Sequence, residues 1–195
     1  GIQSADDLIA DERLHDGEAD DLSTSDIEPP AQLNNQALES LIGEAERLSG
    51  KDGDPKLAAL IQHLETLVKD GFHPVVFCRY VATAHYVADH LRKHFPKLTI
   101  EAVTGELTPE ERRLKVEDME EQEQRLLVAT DCLSEGINLQ HLFTAAVHYD
   151  LAWNPTRHEQ REGRVDRFGQ QASEVRCTML YGQDNPVDGF VLNVI

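Results

Sequence analysis

The sequence predicts an α/β protein in which helices cover both faces of a mostly parallel sheet. From about residue 72 onward, short apolar runs typical of buried strands alternate with amphipathic stretches of helical spacing. The connections between these runs are short. Strand–helix alternation of this kind is typical of parallel sheets, because each crossover helix packs on a face of the sheet.

Composition divides the chain at about residue 54. Residues 1–54 hold 15 of the 36 acidic residues but only 3 of the 18 basic ones, so most of the net charge of −18 lies there. We expect residues 1–33 to be a polar linker and Leu33–Leu48 to be a helix. Residues 1–54 are therefore predicted to be an acidic linker with a helical extension, and residues 55–195 a folded domain that can carry a local basic surface.

The elements of the folded domain follow in chain order. Five strands are predicted at Pro74–Tyr80, Lys97–Gly105, Arg125–Thr130, Thr144–Leu151 and Glu174–Tyr181. Helices are predicted at Pro55–Lys69, Val81–Phe95, from Pro109 onward, at Pro155–Phe168 and at Pro186–Ile195. Two helix starts have specific signals, since Thr108 opens a capping box and Asn154 is a good N-cap before Pro155.

Unusual polar residues follow three of the strands. They occupy the loops that begin near Cys78, Thr130 and Asp150. Ligands bind at the carboxyl ends of strands in parallel sheets, so we expect these loops to form one functional edge.

The helix predicted at Pro155–Phe168 has almost no apolar stripe, because Val165 and Phe168 are its only large apolar residues after Pro155. Helical spacing places Gln160, Arg164 and Arg167 on one face. Gly163 is costly inside a helix and suggests close approach of a ligand or another backbone. Two interpretations remain open: a solvated helix held by ion pairs such as Glu159–Arg167, or an arginine face that meets a phosphate.

Four segments in order resemble the motifs of superfamily-two helicases of the SWI/SNF type. Residues 160–170 (QREGRVDRFGQ) are similar to the sixth motif, and residues 126–155 to the fifth motif and the strand after it. Residues 75–80 (VVFCRY) and 103–113 (VTGELTPEERR) resemble the fourth motif and the segment that follows it. The segment GRVDRFGQ resembles the corresponding segment of bacterial members more closely than that of nucleosome remodellers.

The resemblance covers about residues 55–195 and implies the second, C-terminal RecA-like lobe of a DNA-dependent ATPase, with a three-layer fold. It implies that Arg164 and Arg167 are arginine fingers for ATP and that Gln160 orients them or the attacking water. The residues that it assigns to nucleotide coupling are Asp131, Glu135, Gly136, Asn138 and Gly163. The residues that it assigns to nucleic-acid contact are Arg79, Thr130 and Gly105.

The phosphate-binding parts of such an enzyme do not occur in this sequence. It has no Gly-x-x-x-x-Gly-Lys-Ser/Thr segment and no matching acidic magnesium motif. We therefore expect ATP and Mg²⁺ to be held mainly by a first lobe of the same parent protein, and this chain alone to be inactive. No metal site is expected. A dinucleotide-binding site is not expected either, because no Gly-x-Gly-x-x-Gly segment follows a predicted strand.

The expected partners are that first lobe and nucleic acid, taken as duplex DNA, with a protein partner for the acidic arm as a further hypothesis. Alternatives are a RecA-like interaction module without motor activity, or a lobe of an RNA helicase. No apolar run approaches the roughly 20 residues that span a bilayer. Three scattered cysteines suggest reduced thiols and a cytoplasmic protein.

Overall fold

The computed structural model describes residues 35–50, 52–133, 137–152 and 154–182. The helices are α1 (Asn35–Leu48), α2 (Pro55–Lys69), α3 (Val81–His94), α4 (Pro109–Glu117) and α5 (Pro155–Val165). The strands are β1 (Pro74–Phe77), β2 (Thr99–Val103), β3 (Arg125–Ala129), β4 (Ala145–His148) and β5 (Arg176–Met179). A short 3₁₀ helix spans Leu139–His141. The predicted linker at residues 1–33 and the predicted helix at Pro186–Ile195 lie outside the described residues.

The five strands form one parallel sheet with the order β2-β3-β1-β4-β5, so the predicted α/β architecture is confirmed. The central strand β1 pairs on one side with β3, where Val75 lies beside Leu127. On its other side it pairs with β4, where Val75 lies beside Ala146. The carboxyl ends of β1, β3 and β4 therefore lie side by side.

A separate core fills each face of the sheet, because strand side chains alternate between the two faces. On one face, α2 and α3 pack against strand residues such as Val76, Val128 and Val147. On the other face, α4, the 3₁₀ helix and the end of α5 pack against Val75, Leu127 and their neighbours. This is the expected three-layer arrangement.

The predicted helix starts are confirmed in detail. The Thr108 side chain accepts a hydrogen bond from the Glu111 N–H, and the Glu111 carboxylate accepts one from the Thr108 N–H, which completes a capping box. The Asn154 side chain accepts a hydrogen bond from the Thr156 N–H. Helix α5 therefore begins where the sequence placed it.

The end of α5 differs from the prediction. The helix stops at Val165 rather than Phe168, and Asp166 has left the helical conformation. The side-chain amide of Gln170 donates to the carbonyl oxygens of Val165 and Phe143, at 3.0 and 3.1 Å. This amide satisfies the last carbonyl of the helix in place of a further turn, so the following residues form a loop. Each strand is also shorter than its predicted segment.

Helix α1 stands apart from both cores. Leu38, Leu41, Ile42 and Leu48 are between 41% and 60% exposed, although their spacing is amphipathic. No helix in the described part of the chain is both long and apolar enough to cross a bilayer.

Candidate functional site

Asp131 and two arginines of α5 form the centre of the candidate site, which we call the Asp131 clamp. The Arg161 guanidinium donates to both carboxylate oxygens of Asp131, with distances of 2.6 Å from Nε and 2.8 Å from Nη2. Arg157 adds a third hydrogen bond of 3.2 Å from its Nη1. The clamp joins the loop after β3 to α5, and it uses the planar fork of arginine for two parallel bonds.

The clamp is largely buried. The Arg161 side chain is only 2% exposed, whereas that of Asp131 is 22% exposed. Burial by itself would raise the pKa of Asp131, but the hydrogen bonds and charges of Arg161 and Arg157 lower it below its ordinary value. Asp131 is therefore a carboxylate at neutral pH, and its charge is compensated by the two arginines.

The loop after β4 is tied to the same cluster. Arg161 also donates to the main-chain carbonyl of Asp150, at 3.0 Å. The Asp150 carboxylate in turn accepts from the Arg79 N–H after β1 and from the Lys56 ammonium of α2, both at 3.0 Å. The three strand-end loops are thus linked by charged hydrogen bonds, which confirms that they lie together at one edge of the sheet.

A second polar contact lies beside the clamp, and we call it the histidine chain: Ala152, His158, His148 and Glu162. His148 and His158 are 0% and 2% exposed. The Nε2 atom of His148 lies 3.1 Å from a carboxylate oxygen of Glu162, and the two Nδ1 atoms of the histidines lie 3.4 Å apart. Burial, followed by the charge of Arg161, lowers the pKa of His148 to about 3, so its imidazole is neutral.

The residues assigned to ATP chemistry lie outside the clamp, and their surroundings differ. Arg164 is half-buried and donates to the carbonyl of Leu133. Gln160 and Arg167 are exposed, and among the described residues the Arg167 guanidinium has no ion-pair partner. Arg167 lies beyond the end of α5, so the predicted common helical face of Gln160, Arg164 and Arg167 is wrong for Arg167.

The two interpretations of α5 are each changed by the structure. The proposed Glu159–Arg167 ion pair is not formed, but Arg157 and Arg161 do hold the helix by ion pairs. Gly163 is exposed, and a Cβ at this position would meet no described atom within 4 Å apart from its chain neighbours and the backbone of its own helix. The close approach suggested for Gly163 therefore has no partner inside the described part of this chain.

The remaining assigned residues fall into three places. Thr130 is fully buried, and its N–H donates to the Val103 carbonyl at 3.2 Å. The Gly105 carbonyl accepts a hydrogen bond from Arg112, which also donates to the Cys132 carbonyl and so joins the loops after β2 and β3. Asn138 is exposed and lines a separate cavity of about 250 Å³ beside α4. Glu135 and Gly136 lie outside the described residues.

Sequence reasoning did not select the residues that build the cluster: Arg157, Arg161, Asp150, His148 and His158. A signal was available, because His158, Arg161 and Val165 have the spacing of one helical face and Val165 is its apolar member. A polar face in line with an apolar residue indicates burial against charged partners.

The sequence of the chain matches the model of a known protein family. The model of the helicase conserved C-terminal domain matches residues 55–169, which is more than half of the chain. The chain belongs to this family. The match begins at the first residue of α2 and includes the clamp, the histidine chain and both candidate fingers.

A curated relative of this helicase domain is named ATP-dependent RNA helicase FAL1, from Lodderomyces elongisporus. It is 29% identical over 101 residues, which cover 52% of this chain and 25% of the relative. The chain thus spans about a quarter of the length of this relative. The similar proteins include this RNA helicase and a SWI2/SNF2 ATPase.

Two solved structures share the fold of this helicase domain. The C-terminal part of the Fun30 ATPase domain has a TM-score of 0.61 and 22% identity, over 71% of this chain and 44% of that one. The Sulfolobus solfataricus SWI2/SNF2 ATPase core in complex with dsDNA has a TM-score of 0.53 and 20% identity, over 64% of this chain and 26% of that one. At such identities the likeness shows the RecA-like fold.

Proposed function

We propose that this helicase domain is the C-terminal motor lobe of an ATP-dependent nucleic-acid translocase, and that Arg164 and Arg167 reach the γ-phosphate of ATP held by a first lobe. The observation that carries the proposal is that four arginines in and just after α5 differ in their partners and in their exposure. Arg157 and Arg161 are held by Asp131. Arg164 is half-buried and donates to the Leu133 carbonyl, whereas Arg167 is exposed and has no described ion-pair partner. A guanidinium presented to solvent in this way can bind an incoming anion.

The chemistry of phosphoryl transfer accounts for this choice of residue. Negative charge spreads over the γ-phosphate oxygens during transfer, and an arginine that meets it contributes roughly 10³–10⁵ in rate. Arginine remains charged at all relevant pH values and can bond two oxygens at once. Gln160, exposed one turn before Arg164, would orient the fingers or the attacking water.

The described residues fit a phosphate contact but not a Mg²⁺ site. No group of three or more His, Cys, Asp or Glu side chains among them could hold a metal ion. Asp131, a carboxylate of the site, is already bound by two arginines. We therefore assign ATP and Mg²⁺ mainly to the first lobe, where they would supply the phosphoryl group and its charge compensation.

For nucleic acid we propose the edge formed by the loops after β1, β2 and β3, which carry Arg79, Gly105 and Thr130. Arg112 fixes two of these loops relative to each other through main-chain carbonyls. Duplex DNA is the proposed substrate, and the resemblance of the four sequence motifs to those of the SWI/SNF type supports it. A single lobe with few cations would bind weakly and with strong salt dependence, so affinity would come from two lobes together.

A lobe of an RNA helicase is the second candidate. The observation that favours it is the name of the FAL1 relative, which is that of an RNA helicase. Both candidates share the arginine chemistry, and they differ in the strand that stimulates hydrolysis.

The test is the ATPase rate of the protein with both lobes, wild type beside Arg167→Ala, with duplex DNA or single-stranded RNA added. We expect hydrolysis stimulated by nucleic acid and a loss of at least about 10³-fold in the variant. Arg113→Ala is the matched control, since Arg113 is an arginine of α4 whose side chain is 42% exposed and pairs with Glu110 and Glu117. Equal rates for wild type and Arg167→Ala would refute the proposal, and stimulation by RNA alone would select the second candidate.

A further inference from the structure

His148 is a buried polar residue at the end of an otherwise apolar strand. It is the last residue of β4 and is fully buried, like Ala145, Ala146 and Val147 before it. Its ring stacks on Phe77 with centroids 6.0 Å apart and lies edge-on to His158, with centroids 4.8 Å apart. An apolar residue would fill this position without desolvating two ring nitrogens, so the imidazole calls for another explanation.

The hydrogen-bond partners fix the direction of the histidine chain. The Ala152 N–H is buried and lies 3.2 Å from Nε2 of His158, its acceptor among the described residues. The same Nε2 atom also lies 3.2 Å from the Ala152 carbonyl oxygen, which would be its acceptor in the other tautomer. A buried N–H without an acceptor is rarer and costlier than an under-satisfied carbonyl, so Nε2 of His158 accepts. The proton of neutral His158 is then on Nδ1 and is donated to Nδ1 of His148. His148 in turn carries its proton on Nε2 and donates it to Glu162.

The surrounding charges keep both rings neutral, as this direction requires. Burial lowers the pKa of His158, as it does that of His148. The backbone hydrogen bond with Ala152 raises the pKa of His158. The charge of Arg161 lowers the pKa of both histidines, whereas the charge of Asp131 raises both. Glu162 is 31% exposed at its side chain, so water can solvate the carboxylate that accepts the last hydrogen bond.

The histidine chain and the Asp131 clamp hold opposite flanks of α5. At 100° per residue, Arg157 and Arg161 lie on one flank of the buried face, and His158 and Glu162 lie on the other. Arg164 follows Arg161 on the clamp side. Bonds on only one flank would let the helix rotate about its axis, whereas bonds on both flanks prevent rotation.

We propose that His148 is a positioning residue for Arg164: it donates from Nε2 to Glu162, holds one flank of α5 and so fixes the rotation of the helix that carries the finger. The role of Arg164 in this inference rests on the proposed function. The hydrogen-bond chain itself does not. Glu162 acts through the same contact and is not among the residues assigned to ATP or nucleic acid.

A small rotation is enough to matter. Side chains reach about 6 Å from a helix axis, so a rotation of about 10° displaces their ends by about 1 Å. A misplacement of 1 Å in a catalytic group can lower a rate about a hundredfold. An aliphatic residue at position 148 would preserve packing but would remove this directional restraint.

The direction of the chain is tested by ¹⁵N NMR of this 195-residue chain labelled at histidine, because protonated and unprotonated ring nitrogens differ in chemical shift. His148→Gln and His158→Gln assign the two rings among the nine histidines. We expect the proton of His148 on Nε2 and that of His158 on Nδ1. The opposite pair of tautomers would overturn the proposal.

The positioning role is tested by nucleic-acid-stimulated ATPase of the two-lobe protein with variants of Glu162. Glu162→Ala removes the acceptor, and we expect kcat to fall about ten- to a hundredfold with little change in KM for ATP. Glu162→Gln keeps an acceptor oxygen and should restore most of kcat. Glu159→Ala is the matched control, because Glu159 is an exposed carboxylate of the same helix; it should stay within about twofold of wild type.

The outcomes separate this inference from the proposed function. An active wild type with equally active Glu162→Ala, or with Glu162→Gln as impaired as Glu162→Ala, overturns the positioning role alone. A wild type without ATPase overturns the proposed function and the role of Arg164 with it, while the tautomers still decide the hydrogen-bond chain.

Discussion

Helices α2 and α5 both lie on the sheet, but they are held there by opposite means. The buried face of α2 consists of Leu57, Leu60, Ile61, Leu64 and Leu67. The buried face of α5 consists of His158, Arg161 and Val165. One helix is attached by apolar contact, and the other by hydrogen bonds and ion pairs around a single apolar residue.

Apolar and polar contacts contribute differently to the way these two helices are held. Burial of apolar surface stabilises in proportion to area and has no direction. A bidentate ion pair and a chain of imidazoles are directional, but much of their energy is offset by desolvation. Helix α2 therefore supplies stability, whereas α5 supplies orientation to the arginines at its end.

The largest expected loss comes from Asp131→Ala. The change leaves the buried guanidinium of Arg161 without its carboxylate, and breaking a buried pair on one side costs about 3–5 kcal/mol in the free energy of unfolding. Urea denaturation of the 195-residue chain measures this. A loss below 1 kcal/mol would show that water already compensates Arg161, and the comparison with α2 would fail.

Leu64→Ala should cost nearly as much in stability, about 2–5 kcal/mol, because it opens a cavity in a fully buried position. We expect the ring-nitrogen shifts of His148 and His158 to stay as in wild type, since α2 packs on the other face of the sheet. Altered histidine tautomers in Leu64→Ala would mean that the two helices are not independent.

The low pKa of His148 should make the free energy of unfolding depend on pH. Its pKa is about 3 in the folded protein and about 6.5 when unfolded, so the unfolded state binds an additional proton between these values. This stabilising contribution is complete above pH 6.5 and is lost as the pH falls toward 3, at up to about 1.4 kcal/mol per pH unit. Denaturation at several pH values should show a shallower slope for His148→Gln. Equal slopes would place a charged His148 in the fold.

The smallest expected effect on stability is that of Arg167→Ala, within about 0.5 kcal/mol, because the residue is exposed and pairs with no described carboxylate. Thermal denaturation beside wild type checks this. A loss above 1 kcal/mol would indicate a structural role for Arg167 and would weaken its assignment as a finger.

Local signals in the sequence predicted much of the fold. Thr108 and Asn154 marked helix starts correctly, since a cap is made by residues within one turn of each other. Alternating strands and helices predicted the parallel sheet. Helix ends were harder: α5 stops at Val165 because Gln170, five residues further on, takes the last carbonyl oxygen.

The site was predicted only in outline. The edge formed by three strand-end loops was correct, because the carboxyl ends of parallel strands must meet. Its central contact was missed, since Asp131 and Arg161 are 30 residues apart and nothing local links them. Arg161 was not selected from the sequence, although it is one of the largest fully buried side chains.

The strand order has a consequence for how the chain is made. Among the five strands, β1 and β2 leave the ribosome first, yet neither pairs with the other. Both can pair only after β3, which begins at Arg125, has been synthesised. Strand β1 gains its second neighbour only after β4 has been synthesised. A nascent chain that ends before Arg125 therefore exposes two unpaired apolar strands, the state in which a growing polypeptide is most exposed to aggregation and most in need of a chaperone.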